Sequence, residues 1–218
     1  METMDEYKEA VDELVLGRNG LVVHSIHFVT VDVLKLGEKE KLQSVSLGHH
    51  EHVAFKVSNY YPNKSKLNKN DNDDNIRGCT LCIKTPEGIK QVVFIRESQH
   101  RPEFFKGGMD GYENQKLFDY MMQLSTLAHE LGHVKDMQKN QGGNFSFSPT
   151  PTANLPRAEG YANAYCLNYL KSKKADLALR INAQAIYRLH DSKVKFEKEM
   201  YFEICKRVGK GRLKKWAR

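Results

Sequence analysis

The sequence predicts an α+β fold, with strands in the N-terminal half and helices in the C-terminal half. Segments rich in β-branched residues fill the first part of the chain, and a Thr-Pro-Glu-Gly turn at 85–88 separates two of them as a hairpin. A helical repeat of apolar residues begins near residue 112, and further amphipathic patterns follow it to residue 209. A chain of 218 residues is long enough to fold as one such domain.

The N-terminal half is expected to alternate between short regular elements and loops. Residues 3–16 have apolar positions at helical spacing, and the Gly-Arg-Asn-Gly sequence that follows ends the predicted helix. Alternating or β-branched segments predict five strands, at 21–34, 42–47, 53–57, 79–84 and 89–96. The polar segment 62–75 is expected to be a loop, because it has almost no apolar residues to bury.

The C-terminal half is predicted to be helical. A long helix at 112–138 presents one apolar face, and a loop rich in Gly, Ser and Pro follows it at 139–156. Pro156 suits the first turn of the next helix, which is expected to continue to 171. One or two basic amphipathic helices should occupy 175–209. We therefore expect a main domain at 1–170 and a basic helical arm at 171–218 that packs on it.

Positive charge is concentrated in this arm. From Lys171 onward the chain has 15 Lys and Arg residues against 5 Asp and Glu residues, a net charge of +10. The whole chain carries +7, so residues 1–170 carry −3. The arm could bind nucleic acid, or it could be the solvated face of amphipathic helices, and both interpretations stay open.

Composition and cysteine usage predict a cytoplasmic protein that does not enter a membrane. No apolar run is long enough to cross a bilayer, and the acidic N-terminal segment is unlike a signal peptide. The four cysteines are expected to be reduced. Cys79 and Cys82 have the spacing of zinc ligands but lack a second pair, so we expect them to pack within a strand.

A His-Glu-Leu-Gly-His sequence at 129–133 lies inside the long predicted helix. Residues four apart lie on the same helical face, so His129 and His133 can bind one metal ion. Glu130 lies beside them, where it can accept a proton from water. Gly132 costs about 1 kcal/mol in a helix relative to alanine. Its presence predicts that the backbone of a neighbouring element approaches closely at this point. The alternative is two histidines that share a helical face by chance.

A zinc site needs a third protein ligand, and two carboxylates compete for that role. Asp136 lies on the same helix, and the helical rise of 1.5 Å per residue places it about 10 Å from His129 along the axis. It is better placed to orient His133 by a hydrogen bond. Glu159 opens the next helix and can approach the pair from outside. Asn163 follows one turn later on the same face, and this polar pair within an apolar stripe suggests a buried partner.

The two segments together resemble a known motif. His129-Glu-Leu-Gly-His133, followed 26 residues later by Glu159-Gly-Tyr-Ala-Asn163, is similar to the HExxH…ExxAN pattern of gluzincins. It resembles the ImmA/IrrE group of zinc metallopeptidases in particular, over about residues 112–170. The resemblance implies one zinc ion held by His129, His133 and Glu159, with Glu130 as general base and Asn163 in a supporting role. It also implies a zincin-like core, in which a small sheet packs on the motif helix.

The expected activity is hydrolysis of a peptide bond in a cytoplasmic protein, with a transcriptional regulator or repressor as one substrate class that the resemblance suggests. The alternative is a catalytically silent zincin-fold regulator that binds protein or nucleic acid through its basic arm. The sequence does not identify the donor that stabilises the tetrahedral oxyanion. The residues considered for this role are His100, Tyr112, Tyr161, Tyr165 and His190. A second metal site at His50 and His52 is a further alternative to an ordinary polar segment.

Overall fold

A computed structural model describes residues 1–47, 52–57, 76–98, 112–140 and 155–218. Within these residues the strands of a four-stranded sheet lie in the N-terminal half of the chain and the C-terminal half is helical, so the predicted α+β class is confirmed. None of the described helices is long and apolar enough to span a membrane.

Helix α1, Met4–Gly17, begins at a capping box in which Thr3 and Glu6 satisfy each other's backbone N–H groups. It ends at Arg18, which adopts the left-handed conformation. Its buried face packs against the long motif helix, and it consists of Tyr7, Ala10, Val11 and Leu14. The helix predicted at 3–16 is therefore confirmed.

The sheet contains strands β1, Ser25–Val29; β2, His52–Val57; β3, Gly78–Thr85; and β4, Gly88–Arg96. Their order is β1-β4-β3-β2. Strand β1 is parallel to β4, and the other two pairs are antiparallel. Strands β3 and β4 form the predicted hairpin, with Thr80 opposite Val93.

Two predicted strands are wrong in whole or in part. Of the segment 21–34 only β1 is a strand, because the Thr30 side chain accepts from the Val33 N–H and caps helix α2, Val31–Lys35. The segment 42–47 contains no strand, and its residues up to Ser44 belong to helix α3, Glu38–Ser44. Its first turn carries Glu38 and Glu40, which favour a helix N-terminus.

The two faces of the sheet are covered by different helices. Val93 and Ile95 of β4 belong to the main core, which includes helix α1 and the long helix α4, Tyr112–Asn140. The alternate residues Val92 and Phe94 belong to a second core with Leu34 and Leu42, from α2 and α3. This period of two is expected for a strand that is buried on both faces.

The helical half contains α4, Tyr112–Asn140; α5, Leu155–Ser172; α6, Asp176–Arg188; α7, Lys195–Val208; and α8, Lys210–Trp216. Helix α4 is central and contacts α1, α5, β3 and β4. The long helix predicted at 112–138 and the helix predicted at 156–171 are confirmed as α4 and α5. The arm forms α6 and α7, as expected, and adds the short helix α8.

Buried residues of the arm share one core with the rest of the chain. Leu179, Ile204, Val208 and Leu213 lie in the same apolar cluster as Leu124 and Leu131 of α4. The arm is therefore packed rather than extended. All four cysteines are free, and Cys79 and Cys82 are buried in β3, which confirms their packing role.

Candidate metal centre

Helix α4 places the two imidazoles of the motif one turn apart. Their Nε2 atoms are 3.1 Å apart, and the rings meet edge to face. The His133 side chain is buried, whereas the His129 side chain is 20% exposed. The site is therefore closed beneath His133 and opens beside His129.

Helix α5 brings Glu159 to this pair in its first turns. Glu159 Oε2 is 3.3 Å from His129 Nε2, and Oε1 is 3.5 Å from His133 Nε2. Glu159 is buried, and its Oε1 atom has no hydrogen-bond donor within the described residues. Among those residues, these three form the one group of His, Cys, Asp and Glu side chains close enough to hold a metal ion.

The spacing of the three side chains is compatible with a zinc ion. Bonds of 2.0–2.1 Å at tetrahedral angles place two ligand atoms about 3.3 Å apart. The closest approaches between the side chains are 3.1, 3.3 and 3.5 Å, the last two made by different oxygens of Glu159. One ligand atom from each residue lies within 4.8 Å of the others. Two imidazoles and a carboxylate are also the donor set of one class of catalytic zinc site. The residues present therefore fit a zinc ion in their chemistry and lie close enough together to hold one.

The three groups also match a cation electrostatically. Burial alone opposes ionisation of Glu159, but the facing imidazoles hold its pKa well below the usual range. Burial likewise favours neutral His133, yet the negative charge of Glu159 outweighs it and raises the pKa of His133. The carboxylate thus stays ionised next to two nitrogen donors. A bound divalent cation satisfies the same demand for positive charge that protonated imidazoles otherwise meet.

Gly132 allows the two ligand-bearing helices to approach each other. A Cβ atom at Gly132 would lie 2.8 Å from Ala162 Cα and 3.0 Å from Ala162 O. Because both distances are below ordinary contact, only glycine lets α5 come this near. The predicted close backbone approach is confirmed, and its partner is the helix that carries Glu159.

Glu130, the glutamate of the motif, is contacted by strand β3 through Thr80. The Thr80 hydroxyl donates to Glu130 Oε2 at 2.8 Å, and both side chains are buried. A Cβ atom at Gly78 would lie 3.2 Å from Glu130 Cγ, so the start of β3 is pressed against α4. Burial raises the pKa of Glu130. A carboxylate with a raised pKa, held in place by the Thr80 hydroxyl, is suited to accept and return a proton.

Asp136 has a different partner from the one predicted. Both of its oxygens accept from Arg157, at 2.9 and 2.8 Å, which links α4 to α5. His133 Nδ1 is buried and has no hydrogen-bond partner in the described part of the chain, so the structure lacks the expected hydrogen bond from His133 to Asp136. Arg157 lies two residues before Glu159. The ion pair therefore fixes the start of α5 and acts on the site through Glu159.

A cavity of about 220 Å³ adjoins the open side of the site. His129 and Glu130 line it, together with Asn163, Asn182 and Arg77. The Asn163 amide donates to the Glu159 carbonyl oxygen at 2.8 Å, which supports the first turns of α5. The Asn182 amide donates to Ser125 Oγ and Ala178 O, at 2.9 and 2.8 Å. Both amide nitrogens are thus engaged, which fixes the orientation of both side-chain amides.

Three of the five predicted oxyanion donors lie away from this cavity within the described part of the chain. The Tyr161 ring lies beneath the Arg207 guanidinium, and the Tyr165 hydroxyl accepts from Asn19. His190 Nδ1 donates to the carbonyl oxygen of a neighbouring residue, and its ring stacks on two tyrosines. None of these three lines the cavity. His100, His50 and the side chains of Tyr112 and His52 lie outside the described residues, as does the alternative second metal site.

Three contacts of the site were not predicted from the sequence. They involve Thr80, Arg77 and Arg157. Thr80 lies 50 residues from Glu130, and no local pattern indicates their pairing. Arg157 was open to prediction, because it lies beside the proposed ligand and a buried Asp136 needs a cation.

No known family model matches the chain, and no curated protein or solved structure is significantly similar to it.

Proposed function

We propose that the protein is a zinc-dependent peptidase with a zincin-like core, which hydrolyses a peptide bond in a specific cytoplasmic protein. The observation that carries this proposal is that one ligand atom from each of two imidazoles and a buried carboxylate lies within 4.8 Å of the others, beside a buried glutamate that could act as a base. His129, His133 and Glu159 would hold the ion. The motif resemblance alone suggests a regulator as substrate, and the four free cysteines fit a cytoplasmic location.

The residues around the ion have separate roles in this proposal. A zinc ion bound here supplies Lewis-acid chemistry, which makes water more acidic and polarises a carbonyl group. Glu130 takes the proton from the attacking water and returns it to the leaving amine. Thr80 holds Glu130 Oε2 in place by a hydrogen bond. Arg77 is the cationic side chain among those that line the cavity, and we assign it to the developing oxyanion.

The cavity beside His129 is the proposed binding site for one substrate side chain. Its volume of about 220 Å³ suits a single residue rather than a long peptide segment. Asn163 and Asn182 each use their amide nitrogen elsewhere, so their side-chain carbonyl oxygens can accept hydrogen bonds from a ligand. A substrate side chain that donates hydrogen bonds fits this cavity better than an aliphatic one.

The second candidate function is a catalytically silent regulator that keeps the metal site. The observation in its favour is the strongly basic C-terminal arm, which carries 15 Lys and Arg residues against 5 Asp and Glu residues. Such an arm suits binding of a partner rather than chemistry. Both candidates require bound zinc, so metal content does not distinguish them.

The variant Glu130→Gln separates the two. We expect it to keep one zinc ion per chain and to lose hydrolysis of peptides in a library prepared from a digested proteome, read by mass spectrometry. Glu9→Gln removes an exposed carboxylate on α1, outside the motif, and is the matched control. If wild type and Glu130→Gln gave the same cleavage products, the silent regulator would be the better account.

A further inference from the structure

A second and larger groove lies on the C-terminal side of the molecule. It has a volume of about 900 Å³ and runs between the end of α5, the start of α6 and α8. The basic residues that line it are Lys171, Arg180, Arg212 and Lys215, and Trp216 lines it as well. We call this the basic groove. It combines several cations with one large aromatic ring.

The groove has an excess of positive charge that its own acidic residues do not neutralise. Lys171 pairs with Asp176 at 3.5 Å. Within the described part of the chain, Arg180, Arg212 and Lys215 have no ion-pair partner, and all three are exposed. The remaining carboxylate in the lining is Glu2. The groove therefore suits a ligand with several negative charges in a row.

We propose that the basic groove binds single-stranded nucleic acid. Phosphates would contact Arg180, Arg212 and Lys215, and a base would stack on the half-buried Trp216. This combination of a charged groove and an aromatic ring is the usual means of binding single strands without sequence preference. A duplex hides its bases within the stack, so it could use the cations but not the indole.

The basic groove is separate from the metal centre. Both are built on α5, but Glu159 lies near its beginning and Asn168, which lines the groove, lies nine residues later. At 1.5 Å per residue these positions are about 14 Å apart along the helix. Binding in the groove should therefore persist without zinc and in the Glu130→Gln variant, so this proposal is tested independently of peptidase activity.

Trp216 is the single tryptophan of the chain, so its fluorescence reports directly on the groove. We expect oligo(dT) to quench it in a saturable manner at low salt. Three phosphate contacts predict a slope of log affinity against log salt of about −2, at roughly −0.7 per contact for single strands. Arg212→Gln/Lys215→Gln should lower the affinity by about tenfold or more and reduce the slope to about −0.7.

The matched control is Lys193→Gln/Lys198→Gln, which removes two exposed cations outside the groove. It should leave the quenching and the slope close to wild type, and circular dichroism should show both variants folded. Several outcomes would overturn the proposal: no quenching at low salt, equal losses in both double variants, or tighter binding of duplex DNA than of oligo(dT). Equal quenching by anionic phospholipid vesicles would assign the groove to a membrane surface instead.

Discussion

Replacement of Gly132 by alanine tests how the site is built. In an isolated helix this change stabilises by about 1 kcal/mol. Here the added Cβ would lie 2.8 Å from Ala162 Cα, and carbon atoms ordinarily approach to about 3.5 Å. Helix α5 must therefore move by roughly 0.7 Å, and overpacking of this kind costs about 1–3 kcal/mol. We expect a net loss of about 1 kcal/mol in the free energy of unfolding of the metal-free protein.

The same displacement should weaken zinc binding. Glu159 lies three residues before Ala162, so a shift of α5 moves its carboxylate away from both imidazoles. Metal–ligand distances tolerate about 0.2 Å, so a shift several times larger cannot be absorbed within the site. We expect the zinc dissociation constant to rise by about 10- to 100-fold, comparable to other indirect perturbations of zinc ligands.

The two quantities are measured by denaturant unfolding and by competition with a chelator. Gly17→Ala is the matched control, because Gly17 ends α1 in right-handed helical conformation and a Cβ there meets nothing within 4 Å. That variant should gain about 0.4–1 kcal/mol and keep its zinc affinity. The reasoning is refuted if Gly132→Ala behaves like Gly17→Ala in both measurements.

Three further predictions concern the surroundings of the site. Thr80→Val should lower kcat about tenfold with KM unchanged, because a hydrogen bond to a charged group contributes about 1.5–3 kcal/mol. Thr80→Ser keeps the hydroxyl and should have a kcat near that of wild type. Arg157→Met should lower the free energy of unfolding by roughly 2–3 kcal/mol, because it leaves Asp136 without its partner. The loss should be smaller than the roughly 3–5 kcal/mol typical of buried pairs, since Arg157 is 39% exposed. Adding Asp136→Asn should restore part of the loss in unfolding experiments. A thiol reagent at pH 8 should label only Cys205 in the native protein and all four cysteines after denaturation, since burial raises the pKa of Cys82 to about 12.

Much of the candidate metal centre was predictable because its geometry is local. Helical spacing alone aligns His129 with His133, and an unfavourable Gly132 within a helix indicates that another backbone lies close. Glu159 could be selected over Asp136 because the rise of the helix places Asp136 too far from His129 to bind the same ion. Each of these inferences uses distances that a single helix fixes.

The contacts that the sequence did not predict are long-range or depend on competition between polar groups. Thr80 reaches Glu130 only because β3 packs on α4 in a particular register. Asp136 was expected to bond to His133, but the bidentate guanidinium of Arg157 takes both of its oxygens. A forked, charge-assisted pair is stronger than a single hydrogen bond to an imidazole, and sequence spacing does not reveal which one forms.

The errors in the fold have a similar origin. Val31 and Val33 have a high strand propensity, yet one hydroxyl at Thr30 begins a helix at this point. Leu42 is buried against the sheet, as a strand residue would be, but it belongs to a helix that packs on the outer face. Buried residues without a clear period do not distinguish a short helix from a strand, because a short element has too few residues to show its period.

The account depends on three side chains from two helices that bind one ion. The most direct measurement is the zinc dissociation constant of Glu159→Gln, measured by chelator competition beside wild type and Glu9→Gln. We predict one zinc ion per chain in wild type and in the control, and an affinity at least about 100-fold lower in Glu159→Gln, because the neutral amide removes the one anionic ligand. Tight, stoichiometric zinc binding by Glu159→Gln would contradict the account.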